Sequence, residues 1–125
     1  MKNRRLKDSF KNAFRGIFQA FNTESNIRRH CLSGLLAIIL AFLLHFNWVE
    51  WVFVITAITL VFVTELLNTA IEYTVDLVCG NRYNETAKYA KDIAAGATLL
   101  AAFGAIAMSL ILYLPKILVI LKNWV

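Results

Sequence analysis

Between residues 6 and 21 the apolar side chains Leu6, Phe10, Phe14, Ile17, Phe18 and Phe21 share one helical face, while Lys7, Asp8, Lys11, Asn12, Arg15 and Gln19 occupy the other. A helix divided in this way lies along a membrane interface. Packing on a soluble core is the alternative, and no other part of the chain offers such a core. A continuous apolar stretch follows from Cys31 to Phe46, and it reaches the length of a span once the flanking Arg28, Arg29, His30 and the interfacial Trp48 are included. Trp51 opens a second stretch, V-F-V-I-T-A-I-T-L-V-F-V-T, which continues in helical register through Glu65, Asn68, Glu72 and Asp76 to about Val78. The third runs from Ile93 to Leu114, where Pro115 marks a bend or stop. The pattern predicts an all-α membrane protein: an amphipathic interfacial helix over 6–21, then transmembrane helices over about 29–48, 51–78 and 92–114, in one domain covering 1–125.

Composition agrees with a lipid solvent, since 59% of the 125 residues are hydrophobic and the mean hydropathy is +0.62. The basic amphipathic sequence at the N-terminus does not have the form of a cleaved secretory signal. The net charge of +5 arises from Lys and Arg beside apolar segments and comes with no DNA- or RNA-binding motif. Anionic lipid headgroups are therefore the expected electrostatic partner, with ligand phosphates second and nucleic acid excluded. Eight Lys or Arg precede the first span, none lies in the 45–50 turn, three lie in the 79–92 loop and two follow the third span. By the positive-inside rule the N-terminus and second loop face the cytoplasm and the C-terminus faces outside. Cys31 and Cys79 read as small apolar fillers, because neither has a CxxC or His partner.

The second apolar segment carries the chemistry. Glu65, Asn68, Thr69, Glu72 and Asp76 are spaced i, i+3, i+4, i+7 and i+11, which places all five on an arc of about 100°. Asn68 or Thr69 alone would read as a helix-packing contact. Three carboxylates at membrane depth are too costly for packing and point to function. At a rise of about 1.5 Å per residue from Trp51, Glu65 lies about 21 Å along the span and Glu72 about 31 Å, near the inner surface. Glu65 can thus meet a group carried by a lipid, and Glu72 and Asp76 can meet a solute from water. A pore would need polar residues through the outer half as well, where residues 52–63 supply only Thr56 and Thr59.

Lys91 and Asp92 open the third span, followed by Ile93 and the small residues Ala94, Ala95, Gly96 and Ala97, which permit close packing against the acidic stripe. A lysine here could bind phosphate, or serve only as a positive-inside anchor. Glu24, in the turn after the amphipathic helix, is a solvated loop acid unless a second carboxylate such as Glu72 stands near enough to share a divalent cation. Carboxylates for Mg²⁺, a lysine for phosphate and a deeper carboxylate beside a lipid together suggest phosphoryl transfer to a lipid hydroxyl. No G-x-x-x-x-G-K-[ST] and no kinase glycine loop is present, so any ATP site is built another way.

The runs E-L-L-N-T-A-I-E from Glu65 to Glu72, V-D-L at 75–77 and A-K-D-I-A-A-G-A from Ala90 to Ala97 resemble the bacterial integral-membrane diacylglycerol kinase and undecaprenol kinase family. The likeness covers nearly the whole chain, including S-F-K-N-A-F-R-G-I near the N-terminus and T-E-S-N-I-R-R-H around Glu24. The resemblance implies a homotrimer of three-spanning subunits in the bacterial cell membrane, with a cytoplasmic active site that moves the ATP γ-phosphoryl onto a lipid alcohol. It implies Glu65 as the general base at the lipid hydroxyl and Asn68 as the neighbour that helps place the γ-phosphate. Glu24 and Glu72 would hold Mg²⁺ with the nucleotide, Lys91 would contact phosphate and Asp92 would lie toward the nucleoside. Arg5 and the loop residues Arg82, Tyr83 and Asn84 would approach ATP. Asn12 and Asn84-Glu85 depart from what relatives often carry. N-T-A-I-E with V-D-L and the W-V-E-W turn at 48–51 resemble the undecaprenol branch, with diacylglycerol the alternative substrate. A different class of reading is a non-catalytic membrane subunit or a proton-conducting oligomer that uses the stripe as a relay.

Overall fold

The computed structural model describes residues 6–80 and 82–123, which form four helices. They are α1 (Leu6–Thr23), α2 (Ser25–Leu43), α3 (Trp48–Cys79) and α4 (Glu85–Lys122). The last three are long and apolar enough to cross a membrane. Most of their large apolar side chains face outward, as expected of helices solvated by lipid, where every backbone polar group must be satisfied within the helix. On α1, Phe10, Phe14 and Phe18 are likewise exposed and Ala20 is the buried position, so the apolar face anticipated for the interface stays free of the bundle.

Local chemistry sets the helix ends. Glu24 alone separates α1 from α2, and Arg28 closes the corner by donating from Nη1 to the carbonyls of Phe21 and Asn22, both at 3.0 Å. A cation at those carbonyls satisfies the C-terminus of α1 and its dipole. A capping box starts α3: Asn47 Oδ1 accepts from the N–H groups of Val49 and Glu50, while Glu50 Oε2 accepts from the Asn47 N–H at 2.7 Å. Asn84 starts α4 by accepting from Ala87 N–H at 3.0 Å. Gly80 ends α3 at φ 59° and ψ −143°, a conformation close to the region open only to glycine. A Cβ there would meet no neighbour within 4 Å, so its cost is conformational. Gly80→Ala is expected to lower stability by about 1–3 kcal/mol, read as an earlier thermal denaturation midpoint in detergent.

Pro115 does not end α4. The helix continues to Lys122, although proline lacks one donor and crowds the preceding turn. Within an apolar surrounding, helix is the one conformation that satisfies the remaining backbone groups of that segment. The helices also run past the expected spans at the end of the bundle that carries the α1–α2 corner: α2 begins at Ser25 and α4 at Glu85.

The core is closed at the opposite end. Ala41, Phe46, Val54 and Tyr113 are buried together, with the Phe46 and Tyr113 ring centroids 4.6 Å apart. Tyr113 donates its hydroxyl to the Ala37 carbonyl at 2.8 Å, tying α4 to α2. Lys116 lies 3.1 Å from Glu50 and 5.0 Å from the centre of the Phe46 ring. Between this lock and the α1–α2 corner, α3 packs most extensively on α4 and less on α2, while α2 and α4 scarcely touch. An apolar groove of about 610 Å³ therefore lies between α2 and α4, floored by Val54, Ala57, Ile58 and Val61 of α3.

Candidate active site

The stripe read from the sequence is a buried-to-exposed gradient along α3. Glu65 is 3% exposed, Asn68 8% and Thr69 5%, and these are the buried polar residues among those described. Glu72, a turn further on, is half-buried and Asp76 is exposed. The helical register dictates this order, since one face of α3 passes from the packed middle of the bundle to its open end.

Glu65 and Asn68 line a polar hollow of about 380 Å³ with Asn26, Arg29 and His30 of α2 and Ala95, Thr98 and Ala102 of α4. Ala95 and Ala102 leave that space open, while Ala94 and Ala101 are buried. Among the described residues, the Glu65 carboxylate has no hydrogen-bond partner. Asn68 donates from Nδ2 to Glu72 Oε1 at 2.9 Å, which fixes the orientation of the amide because a carboxylate can only accept. Its Oδ1 is then buried without a partner among the described residues. An orphaned acceptor of this kind is costly in a resting protein and points to a donor or cation that arrives with a ligand. His30 and Ala102 line both this hollow and the apolar groove, so a path of lipid character leads to the Glu65 carboxylate.

At the open end two of the charges meet. Lys91 Nζ of α4 lies 2.5 Å from Asp76 Oδ1 of α3, with the two side chains 35% and 61% exposed. The pair closes the stripe at its last member and holds the lysine beside the approach to Glu72. Such a half-exposed ion pair contributes little to stability and can exchange its partner for a phosphate. Asp92 is exposed next to it.

Glu24 is half-buried and faces α3, where the Tyr73 hydroxyl lies 3.3 Å from its Oε1. Glu72 and Glu24 are thus each engaged by a residue of α3, through Asn68 and through Tyr73, on successive turns. Their oxygen donors suit a hard cation. Among the described residues no three His, Cys, Asp or Glu side chains converge, so a Mg²⁺ held by this pair would take the rest of its shell from nucleotide oxygens and water.

Other expected residues stand apart from this group. Arg82, Tyr83 and Asn84 are exposed in the α3–α4 connection, and the Asn84 side chain is occupied in capping α4. Arg5 lies outside the described residues. Sequence reasoning passed over Tyr73 and Asn26 and read Arg29 and His30 only as membrane flanks. The available signal was helical spacing, since Asn26, Arg29 and His30 recur at i, i+3 and i+4 on α2.

A family model described as prokaryotic diacylglycerol kinase matches residues 11–113. A diacylglycerol kinase of Synechocystis is 44% identical over 110 residues, covering 88% of this chain and 63% of that protein. An undecaprenol kinase of Bacillus subtilis is 40% identical over 113 residues, covering 90% of this chain and 91% of its own length. A diacylglycerol kinase of Escherichia coli strain K12 is 34% identical over 89 residues, covering 71% of this chain and 72% of its own.

Proposed function

Because the chain belongs to the prokaryotic diacylglycerol kinase family, we propose that it transfers the γ-phosphoryl group of ATP to the hydroxyl of a membrane lipid, with undecaprenol as the substrate and undecaprenyl phosphate as the product. The observation that carries this reading is the Glu65 carboxylate, buried and without a hydrogen-bond partner among the described residues, at the meeting point of a polar hollow and an apolar groove. A soluble-substrate enzyme has no use for that groove. A relay would need ionisable side chains through the groove, whose lining beyond His30 is apolar apart from Ser33, Ser109 and Tyr113, the last with its hydroxyl on the Ala37 carbonyl.

The reaction follows from where the groups stand. A lipid alcohol diffusing in the bilayer presents its hydroxyl to Glu65, while ATP approaches from the aqueous end of the stripe. The hydroxyl oxygen attacks the γ-phosphorus, the bond to the β–γ bridging oxygen breaks, ADP leaves and Glu65 takes the hydroxyl proton. Asn68, held by Glu72, offers its orphaned Oδ1 to a donor or cation that arrives with the substrates beside the transferring group. Glu24 and Glu72 would hold Mg²⁺, which supplies charge neutralisation on the phosphates. Lys91, released from Asp76, would bind phosphate, with Asp92 toward the nucleoside and Arg5, Arg82, Tyr83 and Asn84 at the periphery of ATP. The positive-inside count supports a cytoplasmic N-terminus and site, and the extensive outward apolar surface is compatible with a homotrimer.

Diacylglycerol is the second reading, favoured by the 44% identity to the Synechocystis diacylglycerol kinase. The more complete match to the undecaprenol kinase, 91% of whose length is covered, supports undecaprenol. Purified protein with Mg²⁺ and γ-labelled ATP is expected to label undecaprenol more rapidly than diacylglycerol at equal mole fraction in mixed micelles. Faster labelling of diacylglycerol would reverse the substrate assignment, and labelling of neither would end the kinase reading.

A further inference from the structure

Tyr73 follows Glu72 directly on α3 but points off the stripe, toward the corner between α1 and α2. Its hydroxyl lies 3.0 Å from Thr23 Oγ1 and 3.3 Å from Glu24 Oε1. Thr23 spends its own hydroxyl hydrogen on the Gln19 carbonyl at 3.1 Å, so toward Tyr73 it acts as an acceptor. The carboxylate can only accept. The phenol hydrogen is therefore shared between the two. Glu24 stands at the N-cap of α2, from which a polar side chain ordinarily turns back to bond its own helix, yet it makes no such cap bond.

We propose that Tyr73 is a positioning residue that draws the Glu24 carboxylate away from the start of its own helix and holds it against α3 beside Glu72. Two carboxylates from different helices are then set in advance for one divalent cation. This rests on the reading of Glu24 and Glu72 as a Mg²⁺ pair. Preorganisation is the physical point: without the hydroxyl, Glu24 is free to cap α2, and the cation must draw it back on binding.

The test uses the full chain in detergent without lipid substrate, with Mn²⁺ and the non-hydrolysable analogue AMP-PNP, and the signal of free Mn²⁺ followed by electron paramagnetic resonance. Tyr73→Phe retains the ring at a position already 49% exposed, so folding is preserved. Binding of Mn²⁺·AMP-PNP is expected to weaken about tenfold. On a Glu24→Gln background the same substitution is expected to have no further effect, while Thr23→Val alone leaves binding as in the parent. Parental binding by Tyr73→Phe, full additivity with Glu24→Gln, or an equal loss in Thr23→Val would each overturn the proposal. If Glu24→Gln itself binds normally, the metal assignment of Glu24 falls as well. If Glu24→Gln is weakened and Tyr73→Phe is not, only the positioning role is lost.

Discussion

Glu65→Gln is expected to lower kcat about a thousandfold and to leave the binding of Mg·ATP unchanged. The substitution preserves size and removes the ability to take a proton, at a side chain that is 3% exposed and has no partner among the described residues to lose. In a loose phosphoryl-transfer transition state the attacking hydroxyl becomes acidic late, so the base contributes to turnover and not to ground-state binding. The depth of Glu65 sharpens the expectation. It lines the hollow where α2, α3 and α4 meet and not the exposed end that the nucleotide reaches first. Single-turnover transfer and nucleotide binding measured on the same preparation check it. Unchanged turnover would remove Glu65 from the chemistry, and lost nucleotide binding would move it to the metal site.

The acidic stripe was legible because two periodicities meet in it. A span must be apolar on lipid-facing positions, so polar residues recurring at i, i+3, i+4, i+7 and i+11 can only define the face of α3 turned inward. The burial of Glu65, Asn68 and Thr69 is that argument made visible. Cap chemistry was there to be read and was passed over: Asn47 with Glu50, and Asn84 ahead of α4, start the helices at Trp48 and Glu85, where the apolar pattern alone suggested 51 and 92. The continuation of α4 past Pro115 was not legible. Proline rules are drawn from helices in water, where a broken helix can be hydrated, and an apolar surrounding removes that option.

Pairwise contacts between distant segments were harder still. Lys91 and Asp76 are 15 residues apart and were each assigned separately; only the packing of α4 on α3 brings them together. Tyr73 and Glu24 are 49 residues apart, and their contact depends on the angle at which a one-residue corner returns the chain toward α3. Periodicity reports which face a residue occupies on its own helix. It says nothing of what the next helix places opposite, which is why the notion of Glu24 and Glu72 as a metal pair is conditional when read from the sequence alone.

Glu72→Gln is expected to raise the KM for Mg·ATP about 10- to 100-fold, with kcat at saturation largely kept, the opposite of the pattern for Glu65→Gln. The amide still offers Asn68 Nδ2 an oxygen acceptor in place of the present 2.9 Å bond, so Asn68 keeps its orientation and the change isolates the lost charge. A cation with few protein ligands depends heavily on each one, and raising free Mg²⁺ should recover part of the affinity by mass action. Glu72→Leu separates charge from support. It leaves Asn68 Nδ2 unpaired beside an Oδ1 that already is, at a cost of about 1–3 kcal/mol, so stability falls together with nucleotide affinity. Titrations of ATP at several Mg²⁺ concentrations, with thermal denaturation of both variants, distinguish the two effects. A Glu72→Gln protein that keeps its KM and loses kcat would exchange the assigned roles of Glu65 and Glu72.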